Sequence, residues 1–156
     1  MEIRIRQAER GDLHELARLF DAYRQFYDQA SDVAGAREFL RERMDARQSL
    51  VIVAEGEDSL VGFAQLYPMF SSVRMAPIWI LNDLYVDADV RRLGIGRLLL
   101  EASAAAARGA GAGRIVLETA RENLAARAVP GRGMGGGIDP VVQPGPRRAH
   151  DGELRP

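Results

Sequence analysis

The 156-residue sequence contains no cysteine, no lysine and only two histidines. Without cysteine there can be no disulfide framework, no thiolate metal site and no cysteine nucleophile. His14 and His150 are far apart in the chain, and neither has neighbouring ligand residues at a metal-binding spacing. We therefore expect no metal cofactor.

The sequence also lacks a strong charge of either sign and a long hydrophobic run. Its 21 arginines nearly balance 22 acidic residues, giving a formal net charge of −1. This balance gives no general attraction to nucleic acid or to a membrane surface. The first six residues alternate as a strand does and do not resemble a signal peptide, and no apolar run reaches membrane-spanning length. We expect a cytoplasmic protein with no nucleic-acid or membrane partner.

Apolar periodicity predicts elements in the order β-α-α-β-β-β-α-β-α. The predicted strands are Glu2–Gln7, Leu50–Ala54, Leu60–Leu66, Ile78–Val86 and Arg114–Ala120. Two helices are predicted before residue 50. One is capped by Asp12 and carries Leu13, Leu16, Leu19, Phe20 and Tyr23, and the other follows a turn at Gln29–Gly35. Two later helices are predicted, Gly94–Arg108, with Leu98, Leu99, Ala102 and Ala106 on one face, and Glu122–Val129. The order predicts an α/β protein with a mixed sheet flanked by helices.

The character of the chain changes after Val129. Residues 130–156 hold seven of the sixteen glycines and five of the seven prolines, with no aromatic residue. Such a segment has little apolar surface with which to offset its ordering entropy. We expect one folded domain over residues 1–129, followed by a largely disordered tail over residues 130–156.

The most informative motif is Arg-x-x-Gly-x-Gly at residues 91–96, between a predicted strand and a predicted helix. The first N–H groups of a helix lack partners and lie at the positive end of its dipole, so they attract an anion such as a pyrophosphate. A Rossmann dinucleotide site is the alternative, but it would need a third glycine and a downstream acidic residue. The motif therefore predicts a phosphate-binding turn.

In this setting the motif resembles the acyl-CoA pyrophosphate loop of the GNAT (Gcn5-related) N-acetyltransferases. The resemblance runs from about Ile3 to Val129 and implies their fold, a mixed, mostly antiparallel sheet flanked by helices, with acetyl-CoA as co-substrate. It also implies that residues 81–86 form the strand that binds the pantetheine arm, through backbone groups exposed at a bulge. The cofactor-binding residues implied in this way are Leu84, Tyr85, Val86, Arg91, Arg92, Leu93, Gly94, Ile95, Gly96, Arg97 and Asn123.

The resemblance further implies N-acetylation of a primary amine on a small molecule, an amino acid or a peptide. Residues 62–72 and 81–86 are similar to a branch that acts on polyamines, amino acids and histone tails. By position Asp83 is the candidate catalytic carboxylate, and a purely structural hydrogen-bond acceptor is the alternative. The candidate substrate-binding residues are Tyr23, Tyr27, Tyr67 and Asn82, although aromatic residues at helical spacing are also typical of a core.

The chain departs from the family pattern at Pro130, where the family has a tyrosine that protonates the leaving thiolate and then two further strands. Read one nucleotide later, the codons of Met134 and Gly135 must spell tryptophan, and that frame permits Leu-Tyr-Arg-Ala-Ala-Gly-Trp. We hypothesise that the tail is a frameshift product that replaces the C-terminal strands. Two functions therefore stay open, an active N-acetyltransferase and a catalytically impaired CoA-binding relic. The resemblance also leaves a homodimer open.

Overall fold

In the computed structural model, which describes residues 1–112, 114–119 and 138–142, a six-stranded sheet carries helices on both faces. The strands are β1 (Arg4–Gln7), β2 (Leu50–Glu55), β3 (Leu60–Ser71), β4 (Ala76–Val86), β5 (Ile115–Thr119) and β6 (Ile138–Val142). The helices are α1 (Leu13–Phe26), α2 (Val33–Asp45) and α3 (Ile95–Gly109). Neighbouring strands from β1 to β4 pair antiparallel, whereas β4 with β5 and β5 with β6 pair parallel. The expected mixed α/β fold is confirmed.

Two hydrophobic cores lie on opposite faces of the sheet. Apolar residues of α1 and α2 pack with one face of β2 and β3, around the fully buried Phe63. Residues of α3 pack on the other face, around Leu66, Leu81 and Leu99. Because successive side chains of a strand point to opposite faces, the central strands are buried on both sides, which explains their nearly continuous apolar sequences.

The turn between α1 and α2 is held by one buried carboxylate. Asp21 accepts hydrogen bonds from the Asp32 N–H at 2.7 Å, the Ser31 hydroxyl at 2.7 Å and the Gln25 side-chain amide at 3.0 Å. Asp32 in turn caps α2 by accepting from the Gly35 N–H at 2.9 Å. The two helices are therefore fixed against each other through polar contacts as well as through their shared core.

Two details of the predicted helices are wrong. Asp12 stands at the N-cap position of α1, but its carboxylate pairs with Arg6 and accepts from the Glu9 N–H, so it makes no cap bond to α1. In α3 the buried face is offset from the predicted one, because Leu98 is 40% exposed. The residues buried on α3 are Ile95, Leu99, Leu100, Ser103 and Ala107.

The strands differ from the prediction mainly at the β3–β4 hairpin and in the tail. Pairing of β3 with β4 continues to Ser71 and Ala76, beyond the end of β2, so both strands are longer than predicted. Within the predicted tail, residues 138–142 form a strand, and the expectation that the tail is largely disordered stays a prediction. The rest of the predicted tail, and the predicted helix Glu122–Val129, lie outside the described residues. Within the part that is described, no helix is both long and apolar enough to span a bilayer.

Candidate active site

A β-bulge interrupts the pairing of β3 with β4. Gln65 pairs with Asp83, and the next residue, Leu66, pairs with Leu81. Asn82 therefore has no partner residue in β3. A bulge bends its strand and leaves the extra residue outside the regular ladder. The bulge that the family resemblance implies is therefore present, and it lies beside the candidate catalytic residue.

The register between β4 and β5 reaches the same place. Among the described residues, the pairs run from Trp79 with Ile115 to Leu81 with Leu117. Residues 83–86 pair with β3 on the other side of β4. The pair at Leu81 therefore directly precedes the bulge at Asn82.

A turn with two left-handed backbone positions leads from β4 to α3. Arg92 has φ +69° and Gly94, the N-cap of α3, has φ +76°. Left-handed conformations are costly for a residue with a Cβ, so Arg92 marks a strained site. Alternating positions of this kind turn successive N–H groups toward one side and make an anion-binding concavity, which the helix dipole reinforces. An added Cβ on Gly94 would meet no atom within 4 Å, so the space beside it is open.

The three arginines of this turn have different surroundings. Arg91 donates from Nε to the Val86 carbonyl at 3.1 Å, and its guanidinium lies 5.8 Å from the centre of the Tyr85 ring. Arg91 thus ties the turn back to β4. Arg97 pairs with Glu101 one helical turn along, at 2.8 Å, in an exposed position. Arg92 is exposed, and its charge adds to the positive potential of the turn.

Asp83 is 4% exposed and is surrounded by neutral donors. It accepts from Gln65 Nε2 at 2.7 Å and from Asn82 Nδ2 at 3.0 Å, and the Tyr23 hydroxyl lies close enough to hydrogen-bond with it. Burial raises the pKa of Asp83, and the three hydrogen bonds oppose that rise only in part. Within the described residues no arginine forms an ion pair with this carboxyl. Asp83 is therefore a buried carboxyl that can hold a proton or bind a cation.

Tyrosines surround Asp83 on the face of the sheet that carries α1 and α2. The Tyr23 hydroxyl donates to the Asn82 carbonyl at 3.3 Å, and the Tyr27 ring centre lies 5.0 Å from that of Tyr23. Tyr67 is half-buried two residues beyond Gln65 on the same face of β3. Burial raises the pKa of both Tyr23 and Tyr67, and the Asp83 carboxylate adds to each rise. Of the four candidate substrate-binding residues, Tyr23, Tyr67 and Asn82 therefore lie close to Asp83, and Tyr27 packs on Tyr23.

The candidate cofactor residues divide by side-chain position. Leu84, Val86 and Ile95 are buried in the core beneath α3, so only their backbone can face a ligand. Leu93 is 60% exposed, and Gly96 is partly buried in the first turn of α3. Asn123 lies outside the described residues.

Sequence reasoning missed Gln65, which is fully buried and directly opposite Asp83. A polar residue in an otherwise apolar strand was the available signal, because such a side chain needs hydrogen-bond partners when it is buried.

Comparison with known proteins agrees with this geometry. The family model described as acetyltransferase (GNAT) family matches residues 14–135. An uncharacterized N-acetyltransferase of Bacillus subtilis, YhfO, is 45% identical over 125 residues, covering 80% of this chain and 84% of that protein.

Solved structures show the same similarity. A probable acetyltransferase is 39% identical with a TM-score of 0.71, covering 80% of this chain and 84% of that one. A predicted acetyltransferase of Clostridium acetobutylicum, solved with acetyl-CoA, has a TM-score of 0.64 over 74% of this chain and 80% of that one. At 12% identity, this last likeness shows the shared fold alone.

Proposed function

This chain belongs to the GNAT acetyltransferase family, and from that premise we propose that it transfers an acetyl group from acetyl-CoA to a primary amine by direct attack. The amine would be carried by a small molecule, an amino acid or a peptide. The observation that carries the proposal is the position of the β4 bulge, which adjoins the buried carboxyl of Asp83 and precedes the glycine-rich turn into α3.

The residues of the turn fit a pyrophosphate. The N–H groups at the start of α3, the left-handed backbone at Arg92 and Gly94 and the open space beside Gly94 offer donors and room for an anion. When bound, acetyl-CoA would supply the activated acetyl thioester. We place the pantetheine arm alongside residues 82–86, because this segment leads from the turn toward the bulge.

Asp83 is proposed to take the proton of the acceptor. An alkyl amine has a pKa of about 10 and arrives as an ammonium ion. A carboxyl with a raised pKa is a better proton acceptor at neutral pH than an ordinary aspartate. The freed amine would form the N–C bond as the C–S bond breaks. The CoA sulfur, whose thiol has a pKa comparable to the value of about 8.5 for cysteine, would leave as a thiolate. The extra proton on the acylated nitrogen would then pass to this thiolate, directly or through water, giving the amide and CoA thiol.

The experiment is an assay of thiol release from acetyl-CoA with a panel of primary amines. Asp83→Asn should lower kcat by about 100-fold, within the usual range for a lost general base, while acetyl-CoA affinity is retained. Ser103→Ala is the matched control, since it removes a different buried hydrogen bond, from the Ser103 hydroxyl to the Leu99 carbonyl in α3. Full turnover by Asp83→Asn would refute the role of Asp83.

One sequence observation favours a second candidate function, a CoA-binding relic, because Pro130 stands where the family has its catalytic tyrosine. The test re-encodes the chain after Val129 in the next reading frame. Equal thiol release by the two chains would rule out the relic. Acetyl-CoA binding with release only from the re-encoded chain would establish it.

A further inference from the structure

In the side-chain amide of Gln65, the nitrogen makes a hydrogen bond and the oxygen has no hydrogen-bond partner among the described residues. Its Nε2 donates to Asp83 Oδ2 at 2.7 Å. When Asp83 is ionised it only accepts hydrogen bonds, so the nitrogen of the amide then faces Asp83, as its assigned orientation has it. Gln65 Oε1 is then the remaining acceptor, and it is buried without a hydrogen-bond partner in the described structure.

Buried acceptors without donors are uncommon in folded proteins, because the lost hydration is not replaced. Gln65 is fully buried, so bulk water does not reach Oε1. The neighbouring Asp83 is a buried carboxyl that, when ionised, receives only neutral donors from the described residues. Gln65 Oε1, which has no donor among the described residues, and the Asp83 carboxyl, which has no cationic partner among them, thus belong to two residues that lie opposite each other beside the bulge.

A ligand that satisfies both groups must bring a positive charge and at least two N–H donors. A primary ammonium ion has both. We propose that Gln65 is a positioning residue that recognises the acceptor as a primary ammonium, together with Asp83. This inference rests on the proposed function, which names the primary amine; the role of Gln65 in recognising that amine is what it adds.

The pairing also gives Gln65 a role in the reaction. After Asp83 takes one proton, the neutral amine keeps two N–H bonds and gains a lone pair. A hydrogen bond from the amine N–H to Gln65 Oε1 would fix the rotation of the amine about its C–N bond, so that its lone pair has a defined direction.

The groups packed around this pair restrict the shape of the acceptor. Tyr23 reaches it from α1 with the Tyr27 ring packed on Tyr23, and Tyr67 lies beside it on β3. From α2, Arg43 is a cation that lowers the pKa of Tyr67 against the larger effect of burial. Because Asp83 is only 4% exposed, the nitrogen has to enter between tyrosine rings. A primary amine on an unbranched carbon fits this approach, whereas a quaternary ammonium is too wide and has no N–H to donate.

The test uses methylammonium and tetramethylammonium chloride as probes of the intact chain, so no acceptor needs to be known beforehand. The readout is the ¹³C shift of the Asp83 carboxyl, assigned by its loss in Asp83→Asn, followed across a pH titration. Methylammonium should bind and lower the pKa of Asp83, and tetramethylammonium should do so much less. Equal effects of the two cations would contradict recognition through N–H donors.

Gln65→Met replaces the amide by an apolar side chain of similar length, and it should weaken methylammonium binding by about tenfold and remove the preference over tetramethylammonium. Gln65→Glu keeps an acceptor oxygen and should retain the preference, with a shifted pH profile because two carboxyls are then adjacent. Unchanged binding by Gln65→Met would overturn the proposal, as would loss of the preference in a folded Gln65→Glu.

Acetyl-CoA affinity and thiol release are measured on the same samples. An unchanged acetyl-CoA affinity in Gln65→Met, with weaker methylammonium binding, supports the positioning role. If the parent chain releases no thiol, the proposed function fails, while the cation preference still decides the role of Gln65.

Discussion

Asp83 illustrates how burial can oppose stability at a residue that the reaction needs. Its pKa is raised in the folded chain, so the native state holds this proton to a higher pH than the unfolded chain does. The contribution of this group to the free energy of unfolding therefore falls as pH rises from 3.8, the ordinary pKa of this carboxyl, to its raised pKa in the folded state. The carboxyl is kept in spite of that cost.

We predict that Asp83→Asn is more stable than the parent at pH 7, with the difference growing as pH rises from 4. Each pKa unit of the shift converts to about 1.4 kcal/mol. Gln65 can reverse its amide and keep hydrogen bonds with the new asparagine side chain, so the substitution removes mainly the charge. Urea unfolding of both chains between pH 4 and 8 measures the difference in unfolding free energy. A difference that does not vary with pH would show that the Asp83 charge is not the cause.

For single residues, the sequence motifs predicted Asp83 and three tyrosines, at positions 23, 27 and 67, as site residues, but they did not predict Gln65. The sequence places Gln65 in an apolar run that predicts a strand, and any position of that run can face either side. Its meaning depends on the register with β4, which the bulge at Asn82 shifts by one residue. Register of this kind depends on long-range packing and is not determined locally.

At the scale of elements, the α1–α2 pair depends on the buried carboxylate of Asp21. The hydrogen bond from the Asp32 N–H, with those from Ser31 and Gln25, lowers the pKa of Asp21. A lowered pKa means that the stabilisation is present at neutral pH and is lost as pH falls below 3.8 through the pKa of the folded state.

Asp21→Asn should cost about 2 kcal/mol of unfolding free energy at pH 7, because one oxygen cannot accept all three donors. The cost should shrink as pH falls below 4. Denaturant unfolding at pH 7 and pH 3 measures both values. Asp45→Asn is the control, since Asp45 pairs with Arg10 and Arg41 at the surface and should cost less. Equal costs for the two variants would contradict a special role for the buried turn.

The elements that sequence predicted best were those with a clear apolar period, such as α1. The face of α3 was predicted less well because the helix contains alanines on every side, at 102 and at 104–107. Alanine is compatible with burial and with exposure, so packing against β3 and β4 decides which face is buried. The predicted ends of β3 and β4 were too short because the outer part of the hairpin pairs only within itself.

For the whole molecule, the fold class followed from the order of the elements, and the family is established by comparison. Within the predicted tail, a composition average hides the short run Ile138–Val142, which pairs with β5 in spite of Pro140. Proline is tolerated in an edge strand, where it need not donate to a ladder. The frameshift, the homodimer and the cytoplasmic location stay predictions.

The frameshift hypothesis predicts the nucleotide sequence at one point. Resequencing of the gene through the codons of Ala128–Gly135 should reveal an inserted or deleted base relative to a frame that encodes Leu-Tyr-x-x-x-Gly-Trp. Codons that cannot spell this motif in the next frame would exclude the hypothesis.

The most direct test of the account is calorimetric titration of the chain with acetyl-CoA, beside Gly94→Val and Gly111→Val. Both glycines have left-handed backbones with open space beside them, at φ +76° and +82°, and they lie at opposite ends of α3. Each variant should lose about 1 to 2 kcal/mol of stability through the same backbone strain.

The parent chain and Gly111→Val should bind acetyl-CoA with similar affinity, whereas Gly94→Val should bind at least about tenfold more weakly, since its side chain would stand in the anion site. Absence of binding by the parent chain, or equal affinity of the two variants, would contradict the account.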